Sequence, residues 1–547
     1  MNRIFLFTLI CMSAIRLSAQ PWTKKQKIIT SDRAAEDYFG SKVSISGNFA
    51  AIGAPFEDDD ANGANFVNAA GAVYIFQKDE KGTWHEVQKI VASDRAASDY
   101  FGNYVSLSGD YLIAGARLAD YDANGGNYLS AAGAAYIFER NTSGVWVEAQ
   151  KLVAADRGED DFFGAGVAID QNYAVVGAFN DEKDANGGNP IDYAGSAYFF
   201  ERNQGGTWIQ VQKVVSTDRS LFDWFGVSVD ISGDYAVIGS MQDAAGVNGG
   251  SSVPQAGSAY IFERGVAGGW NMAQKIVADD RTSFSSFGVA VAIDSNRIVV
   301  GAHQEDYDGS GANPLENAGA AYIYERDIVG DWHQMQKISN SDRAVDDFFG
   351  GALAIDGDWI IAGLLREDED TLGMNTLSDA GSAYLFQRDS LTSQWSEVQK
   401  IVPAQRHEDA RFGGTVDIED TLVMVGSQFN DFDANGGNFL DKAGAAYVFQ
   451  IPVEKDTTGS TGLTPNQLQK ALKVYPNPAN GQLSIELGRY YSEVEIRLRN
   501  VLGQVVIRQN FNATGKIILD LALSPEVYLL EVDTHSEIAG LKVVVIR

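Results

Sequence analysis

Residues 39–90 read FGSKVSISGNFAAIGAPFEDDDANGANFVNAAGAVYIFQKDEKGTWHEVQKI, and the chain then repeats this stretch. Its landmarks are Phe39-Gly40, Gly53-Ala54-Pro55, Ala70-Gly71 and Trp84. The Phe-Gly pair returns at intervals of 62 or 63 residues, at Phe101, Phe163, Phe225, Phe287, Phe349 and Phe412. The second glycine landmark keeps step at Gly133, Gly195, Gly257, Gly319, Gly381 and Gly444. A fixed period of this size predicts a stacked or radial repeat fold.

Each repeat predicts four short strands, which in the first copy are Lys42–Ser46, Phe49–Ala54, Ala72–Gln77 and Thr83–Ile90. The turn between the first two contains Gly47, which tolerates the positive φ of a tight hairpin. No helical periodicity lies between the strands. Four strands in each of seven repeats predict an all-β, seven-bladed β-propeller.

The fourth strand shows a half-polar pattern. Trp84 and Val87 alternate with His85, Glu86 and Lys89. This half-polar pattern predicts an outer strand of the blade.

The two ends of the repeat array predict how the ring closes. One tryptophan strand, residues 22–29, precedes the first complete repeat, and the last repeat, Phe412–Phe449, has no tryptophan strand after it. We therefore expect residues 22–29 to complete the last blade, so that the propeller occupies residues 20–450. Closure removes the open strand edges that an unclosed array would expose.

Composition restricts the function. The net charge of −31 argues against binding a nucleic-acid backbone, which needs clustered Lys and Arg. Residues 1–19 have a basic start, a short apolar run and small residues before Gln20, which predicts an export signal. The one cysteine, Cys11, lies inside this segment, so neither disulfides nor thiolate metal sites are expected in the mature chain. No later segment is apolar and long enough to predict a transmembrane helix.

The pattern changes after residue 450. Residues 451–472 lack apolar periodicity and predict a linker. Residues 473–547 contain short alternating segments around Leu483–Ile485, Val494–Ile496, Val505-Val506, Tyr528–Leu530 and Leu541–Ile546. These segments predict a small C-terminal β-sandwich.

The repeated motifs resemble a known family. Phe39-Gly40, then Gly53-Ala54-Pro55, then Ala70-Gly71 with Tyr74-Ile75-Phe76 are similar to the FG-GAP repeat of the integrin alpha-subunit propeller and its bacterial relatives, over residues 22–449. The Gly-Ala-Pro motif drifts in later copies, for example to Gly239-Ser240-Met241. The resemblance implies a propeller and suggests recognition or adhesion, but it does not identify a ligand.

The C-terminal segment resembles a second family. Tyr475-Pro476-Asn477-Pro478, Leu502-Gly503-Gln504 and the terminal strand are similar to the sorting domain of the type IX secretion system of Bacteroidota. The resemblance implies export to the cell surface or the exterior, interaction with the type IX machinery, and removal of Lys473–Arg547 at the surface. A generic immunoglobulin-like stalk is the alternative.

Acidic loops between strands two and three are the candidate metal sites. Oxygen donors at alternate positions, followed by a glycine, can converge on one hard cation, so we predict structural Ca²⁺. The candidate ligands are Asp58, Asp60, Asn62, Asp120, Asp122, Asn124, Glu182, Asp184, Asn186, Asp306, Asp308, Ser310, Asp368, Asp370, Asp431, Asp433 and Asn435. The fourth repeat has Ala244, Gly246 and Asn248 instead.

The alternative is that these residues only form solvated turns through side-chain to backbone hydrogen bonds. The family resemblance supports calcium as the ion but does not support these loops as its position. Integrin propellers hold calcium between the Phe-Gly and Gly-Ala-Pro motifs, whereas the acidic loops here follow the Gly-Ala-Pro motif.

An Asp-Arg pair precedes nearly every Phe-Gly pair, starting with Asp32-Arg33. A residue type used in every blade predicts a blade-to-blade brace rather than a catalytic acid, because an active site on a ring is one asymmetric constellation. The recurring Trp and Tyr-x-Phe residues are expected in the core. The five histidines show no zinc or triad spacing, and the sequence contains no Gly-x-Ser-x-Gly motif, no P-loop and no dinucleotide-binding fingerprint. We therefore predict no catalytic and no cofactor-binding residues.

Two function classes remain. The first, which we favour, is a secreted or cell-surface, non-enzymatic protein that binds an extracellular protein or glycan, and we expect it to be a monomer. The second is a secreted hydrolase or lyase acting on extracellular polysaccharide, since propellers host these too. In a propeller the acidic loops and the segments before each Phe-Gly pair emerge at the same end. One face should therefore be strongly negative.

Overall fold

The computed structural model describes residues 22–247, 250–266, 268–390, 392–450, 472–475, 482–499, 505–521, 527–534 and 538–544. The predicted signal, residues 1–19, and the predicted linker, apart from Leu472, lie outside these residues. The chain divides into two compact units, a ring of sheets and a C-terminal β domain. No helix among the described residues is long and apolar enough to cross a membrane.

The ring contains seven four-stranded antiparallel sheets, which confirms the predicted propeller. Blade one contains β2 (Val43–Ser46), β3 (Phe49–Ala54), β4 (Ala72–Lys78) and β5 (Trp84–Ile90). Blade two contains β6 (Tyr104–Ser108), β7 (Tyr111–Ala116), β8 (Ala134–Arg140) and β9 (Trp146–Leu152). Blade three contains β10 (Gly166–Asp170), β11 (Tyr173–Ala178), β12 (Ser196–Arg202) and β13 (Trp208–Val214).

The next three blades keep the same strand order. Blade four contains β14 (Phe225–Ser232), β15 (Tyr235–Ser240), β16 (Ser258–Arg264) and β17 (Trp270–Ile276). Blade five contains β18 (Phe287–Asp294), β19 (Arg297–Ala302), β20 (Ala320–Arg326) and β21 (Trp332–Ile338). Blade six contains β22 (Ala352–Asp356), β23 (Trp359–Leu364), β24 (Ser382–Arg388) and β25 (Trp395–Ile401).

The closing blade joins both ends of the repeat array. It contains β26 (Thr415–Glu419), β27 (Leu422–Ser427), β28 (Ala445–Gln450) and, as its outer strand, β1 (Thr23–Ile28). Strand β1 pairs antiparallel with β28, with Thr23 opposite Gln450 and Ile28 opposite Ala446. The N-terminal strand therefore lies in the last sheet.

The recurring glycines mark the contact between neighbouring blades. Gly71 forms a parallel bridge with Phe101 of the next blade, and six equivalent bridges complete the ring, including Phe39 with Gly444. Gly71 has φ of 87°, and a Cβ atom there would lie 2.1 Å from the Phe101 carbonyl oxygen. A Cβ at Gly53 would lie 2.0 Å from the Gly102 carbonyl oxygen. The motifs recur because the backbones of adjacent blades touch, which leaves no room for a side chain.

A belt of glutamines also links the blades. The side chain of Gln88 accepts a hydrogen bond from the Trp146 N–H (2.9 Å) and donates one to the Trp146 carbonyl (2.7 Å). Gln399 binds the backbone of Trp22 in the same way across the closure. The tryptophan strand of each blade is thereby fixed to that of its neighbour.

Aromatic side chains fill each blade core. Phe39 and Tyr74 are fully buried and meet edge to face, with ring centroids 5.5 Å apart. Trp84 is also buried. The predicted core role of the recurring aromatic residues is confirmed.

The fourth strand is the outer strand of the blade, as predicted, but its side chains do not alternate regularly. Val87 is exposed, and Lys89 is buried. The register shifts between Ile75 and Phe76, so that Val87 forms a bulge without a partner opposite it. A bulge reverses the alternation of side chains beyond it, and this directs Lys89 into the blade.

The described residues of the C-terminal domain form one five-stranded sheet with a single apolar core. Its strands are β29 (Lys473–Tyr475), β30 (Gln482–Arg499), β31 (Val505–Asp520), β32 (Val527–Asp533) and β33 (Ile538–Val544). Two segments predicted as separate strands, Leu483–Ile485 and Val494–Ile496, lie in the long strand β30. The apolar residues of both segments pack into the same core, because the pairing of β30 with β31 shifts register between them. Residues 476–478 and 502–504, used for the family resemblance, lie outside the described residues.

Candidate functional site

The acidic loops are organised by their own hydrogen bonds. In blade one the Asp60 carboxylate accepts N–H groups from Asn62 (2.8 Å) and Ala64 (3.2 Å), and the Asn65 side chain donates to it at 2.5 Å. The Asn65 hydrogen bond is the main reason that the pKa of Asp60 lies below its ordinary value. The same arrangement recurs at Asp122, Asp184, Asp308, Asp370 and Asp433.

The first aspartate of the loop accepts a hydrogen bond from a more distant part of the chain. Asp58 accepts the backbone N–H of Ala69 at 2.6 Å, eleven positions along the chain. The same hydrogen bond is made by Asp120, Asp306, Asp368 and Asp431. These aspartates hold the two ends of five of the seven long loops together, whereas Glu182 and Ala244 take this position in blades three and four.

The predicted third ligands lie on the turns themselves. The backbone N–H groups of Asn62, Asn124, Asn186, Ser310 and Asn435 donate to the preceding aspartate. Among the described residues, none of these loops brings three His, Asp or Glu ligand atoms within 4.8 Å of one another. Calcium binding therefore stays a prediction, and each bound ion would have to share its carboxylate ligands with the turn. In blade four Asn248 lies outside the described residues.

The arginines form the predicted braces. Arg95, which precedes blade two, donates to the Asp58 carbonyl (2.7 Å) and the Asn65 carbonyl (3.1 Å) in the acidic loop of blade one. Arg281 binds the loop of blade four in the same way, at Ala244 and Ser251. The brace uses backbone carbonyls, so it is kept where the loop has lost its acidic residues. The other members are Arg33, Arg157, Arg219, Arg343 and Arg406.

The aspartate of each Asp-Arg pair belongs to a buried cluster that the sequence analysis missed. Lys89 Nζ lies 2.8 Å from an Asp32 oxygen and 3.1 Å from a Glu57 oxygen, and Tyr74 donates to both acids. Burial opposes the charge on Lys89, but the hydrogen bonds with the acids outweigh it and raise the pKa of Lys89. The signal that could have found the cluster is the Gln-Lys pair, which keeps the repeat period at Lys27, Lys89, Lys151, Lys213, Lys275, Lys337 and Lys400.

A second buried carboxylate lies beside this cluster. Burial, reinforced by the charge of Glu57, raises the pKa of Asp37 to about 7. The equivalent Asp223 is also buried, and burial with the charge of Asp243 raises its pKa to about 8. Both buried carboxylates therefore have pKa values close to neutral pH, and both lie in the segments that precede the Phe-Gly pairs.

Several aromatic side chains on the acidic loops are exposed to solvent. Phe66, Tyr128 and Phe439 occupy the same loop position in three blades and are 68%, 59% and 63% exposed. Tyr193 and Phe222 also reach solvent and stack with a centroid distance of 5.0 Å. Large exposed apolar groups that cluster on one surface indicate an interaction site. We use the term loop face for the acidic loops together with the segments that precede the Phe-Gly pairs.

An open cleft of about 560 Å³ lies between the loops of blades two and three. Asp122, Asn124, Asn127, Arg157 and Lys183 contribute to its wall. It therefore combines carboxylate, amide and cationic groups at the loop face.

The axis of the ring holds a second cavity, of about 300 Å³, lined by all seven blades. Most lining residues are small, and Lys42 and Tyr104 are its ionisable members. Asp230 and Asp417 influence Lys42 electrostatically, and each accepts two backbone N–H groups. These two carboxylates link the inner strands of neighbouring blades.

Two family models match the chain. The FG-GAP repeat model matches residues 22–76, 84–138, 146–200, 208–262, 270–324, 332–386 and 395–449. The model of the secretion system C-terminal sorting domain matches residues 473–547. A comparison with curated proteins finds no match.

Solved propellers show remote similarity. A putative 6-phosphogluconolactonase from Bacteroides fragilis is 11% identical, with a TM-score of 0.41 over 67% of this chain and 85% of that chain. The periplasmic gluconolactonase of Pseudomonas aeruginosa is 12% identical, with a TM-score of 0.40 over 87% of this chain and 99% of that chain. Similarity at this level carries no argument about activity.

Proposed function

The chain belongs to the FG-GAP repeat family and carries a type IX sorting domain that directs it to the cell surface or the exterior, and from this premise we propose that it is a non-enzymatic recognition protein. Its loop face binds an extracellular glycan or protein. The sorting domain is the part that engages the type IX machinery.

The observation that carries the proposal is the chemistry of the loop face. Phe66, Tyr128 and Phe439 are exposed on loops that their own hydrogen bonds and the arginine braces hold in place. Rigid aromatic side chains on a preorganised surface give large contact area at a low entropic cost. A face of this kind is suited to binding without a chemical step.

The buried polar groups support the same conclusion. In blade one Lys89, Asp32, Glu57 and Tyr74 satisfy one another inside the blade. The lysine and the tyrosine recur in all seven blades and the acids in most of them, as expected of groups that stabilise each sheet rather than act on a substrate.

Glycans are the first ligand class to test. The apolar faces of sugar rings pack against aromatic side chains, while the carboxylates of loops such as Asp122 can accept hydroxyl hydrogen bonds. The cleft between blades two and three offers carboxylate, amide and cationic side chains, and the exposed Tyr128 follows its wall residue Asn127 in the sequence. An extracellular protein with a basic surface is the other candidate, because the loop face is negative.

The test is a glycan and matrix-protein binding array with residues 20–547, followed by affinity measurements on the hits. The triple substitution Phe66→Ala, Tyr128→Ala and Phe439→Ala should weaken binding at least tenfold. The control, Ile328→Ala, removes an exposed side chain at the opposite end of blade five and should leave affinity unchanged. Equal loss in both variants contradicts a loop-face site.

A hydrolase and lyase screen on polysaccharides runs beside the array. If the protein turns over a polysaccharide and one substitution on the loop face abolishes that turnover, the function of this surface is catalysis and not recognition.

A further inference from the structure

A cluster of metal-ligating side chains lies on the hairpin between β20 and β21. Asp327, Asp331 and His333 each bring one ligand atom within 4.8 Å of the other two, and all three residues are exposed. Hairpins between strands three and four emerge at the end of the blade opposite the acidic loops. The cluster is therefore separate from the loop face.

The hairpin holds its first carboxylate in place. One oxygen of Asp327 accepts the backbone N–H groups of Val329 (2.9 Å), Gly330 (2.9 Å) and Asp331 (3.0 Å). The other oxygen lies 3.0 Å from Nε2 of His333. The turn thus orients Asp327 so that its second oxygen meets the imidazole.

The spacing of these atoms suits a shared ion. Ligand atoms of protein-bound zinc lie about 2.0–2.2 Å from the ion, so two ligands of one tetrahedral ion are about 3.4 Å apart. The Asp327–His333 pair is already near this separation. A ligand atom of Asp331 lies within 4.8 Å of both, and because the residue is exposed its side chain can move closer to a shared ion.

We propose that Asp327, Asp331 and His333 bind one borderline divalent transition-metal ion, with Zn²⁺ as the reference ion. An imidazole with two carboxylates suits Zn²⁺, Ni²⁺ or Cu²⁺, whereas Ca²⁺ takes oxygen ligands. Water completes the coordination, because three protein ligands leave a position open. Binding replaces the hydrogen bond between His333 and Asp327.

The repeats supply a natural comparison. In blade one His85 lies 3.1 Å from Asp79, as His333 does from Asp327, but Thr83 occupies the third position. The remaining blades have no histidine at this position; the residues there are Val147, Ile209, Asn271, Ser396 and Thr23. Blade five is thus the one repeat whose sequence supplies all three ligands.

The first experiment measures zinc binding to residues 20–547, purified without a histidine tag, by isothermal titration and by metal analysis after dialysis. We expect one Zn²⁺ per chain. His333→Ala and Asp331→Thr should each weaken binding at least tenfold, while His85→Ala should leave it unchanged. Thermal melting without metal verifies that each variant is folded.

The second experiment builds the site in blade one. Thr83→Asp should raise the stoichiometry from one to two, and adding His85→Ala should return it to one. Two outcomes overturn the proposal: no zinc binding by the parent protein at micromolar concentrations, or binding that His333→Ala does not weaken.

Discussion

Blade one and the closing blade hold the same buried lysine in different surroundings. In blade one Lys89 pairs with Asp32 and Glu57. In the closing blade Lys27 donates to the Asn430 side chain and to the Phe432 carbonyl, both at 2.8 Å. The lysine and one acceptor position, Glu57 in blade one and Asn430 here, are thus kept, whereas the acceptors of Lys27 are neutral.

The charge difference alters the lysine. Burial, with smaller contributions from Arg33 and Lys24, lowers the pKa of Lys27 to about 8, while the acids of blade one raise the pKa of Lys89. The position of Asp32 is taken by Gln405 in the closing blade. The neutral groups around Lys27 avoid the cost of burying carboxylates beside it, since burying a charge is costly.

Removing the closing strand should have the largest effect. Deleting residues 20–30 removes β1 and exposes the edge of β28. Trp22 and Ile28 are buried, and full burial of an apolar side chain contributes about 1.5–3 kcal/mol, so we expect a loss of roughly 5 kcal/mol or more. Urea unfolding of residues 31–547 against residues 20–547 measures it.

A synthetic peptide of residues 20–30 is the matched control, since it should restore stability to the deleted chain. If the shortened chain unfolds at the parent urea concentration, β1 does not stabilise the ring.

Substituting the lysine tests the comparison directly. Lys213 contacts Asp156 and Asp181 at 2.6 Å each, and Asp181 is fully buried. Lys213→Met leaves two unpaired carboxylates and should cost about 3–5 kcal/mol. Lys27→Met leaves neutral acceptors and should cost about 1–3 kcal/mol. Urea unfolding that finds equal costs would show that acceptor charge is unimportant.

The fold was predictable because its determinants are local and repeated. Gly71 and Phe101 recur with a constant period, since each backbone contact between blades needs the same residues. The predicted strands of blade one agree with the structure to within one residue at either end, because the pattern of each strand is local and recurs in every repeat.

The buried cluster was not predictable from local sequence patterns. Asp32, Glu57 and Lys89 are far apart in sequence, and only the pairing of strands brings them together. The inward position of Lys89 depends on the bulge at Val87, which arises from the register with β4 and not from the sequence of β5 alone. The acidic loops could be located, but their spacing fits calcium ligation and turn formation equally well.

The pH dependence of stability should separate blade four from blades that lack the second carboxylate. Asp223 has a pKa of about 8 in the folded protein against 3.8 as the ordinary value. The folded state therefore binds the proton more tightly. This contribution is complete below about pH 4 and is lost as the pH rises through about 8.

Asp223→Asn should reduce the fall in unfolding free energy between about pH 6 and 9 by about 1–2 kcal/mol. Ser285→Ala, at the same position in blade five, is the control and should keep the parental slope. An unchanged slope for Asp223→Asn would mean that this carboxylate is ionised in the folded protein at neutral pH.

Calcium should give the smallest effect and compares the acidic loops with the loop of blade four. Extracellular calcium modules bind at about 10⁻⁴–10⁻³ M, so 5 mM Ca²⁺ should stabilise the fold by about 1 kcal/mol per occupied site. EDTA should reverse the rise in melting temperature. Asp120→Ala with Asp122→Ala should remove part of that rise, because both carboxylates of one loop are lost. The matched control, Glu80→Ala with Asp110→Ala, removes two charges from hairpins at the other end of the blades. It should show the full calcium-induced rise in melting temperature.

The comparison concerns the calcium-induced shift, not the stability of the variants. Asp122 also accepts hydrogen bonds from Asn124, Gly126 and Asn127, so its removal weakens the turn with or without calcium. If calcium raises the melting temperature of the double variant as much as that of the parent protein, this loop is not a calcium site. If calorimetry detects no calcium binding at millimolar concentration, the carboxylates serve only the turns. The loop face would then recognise its ligand through aromatic side chains and uncompensated negative charge, a combination that favours basic partners.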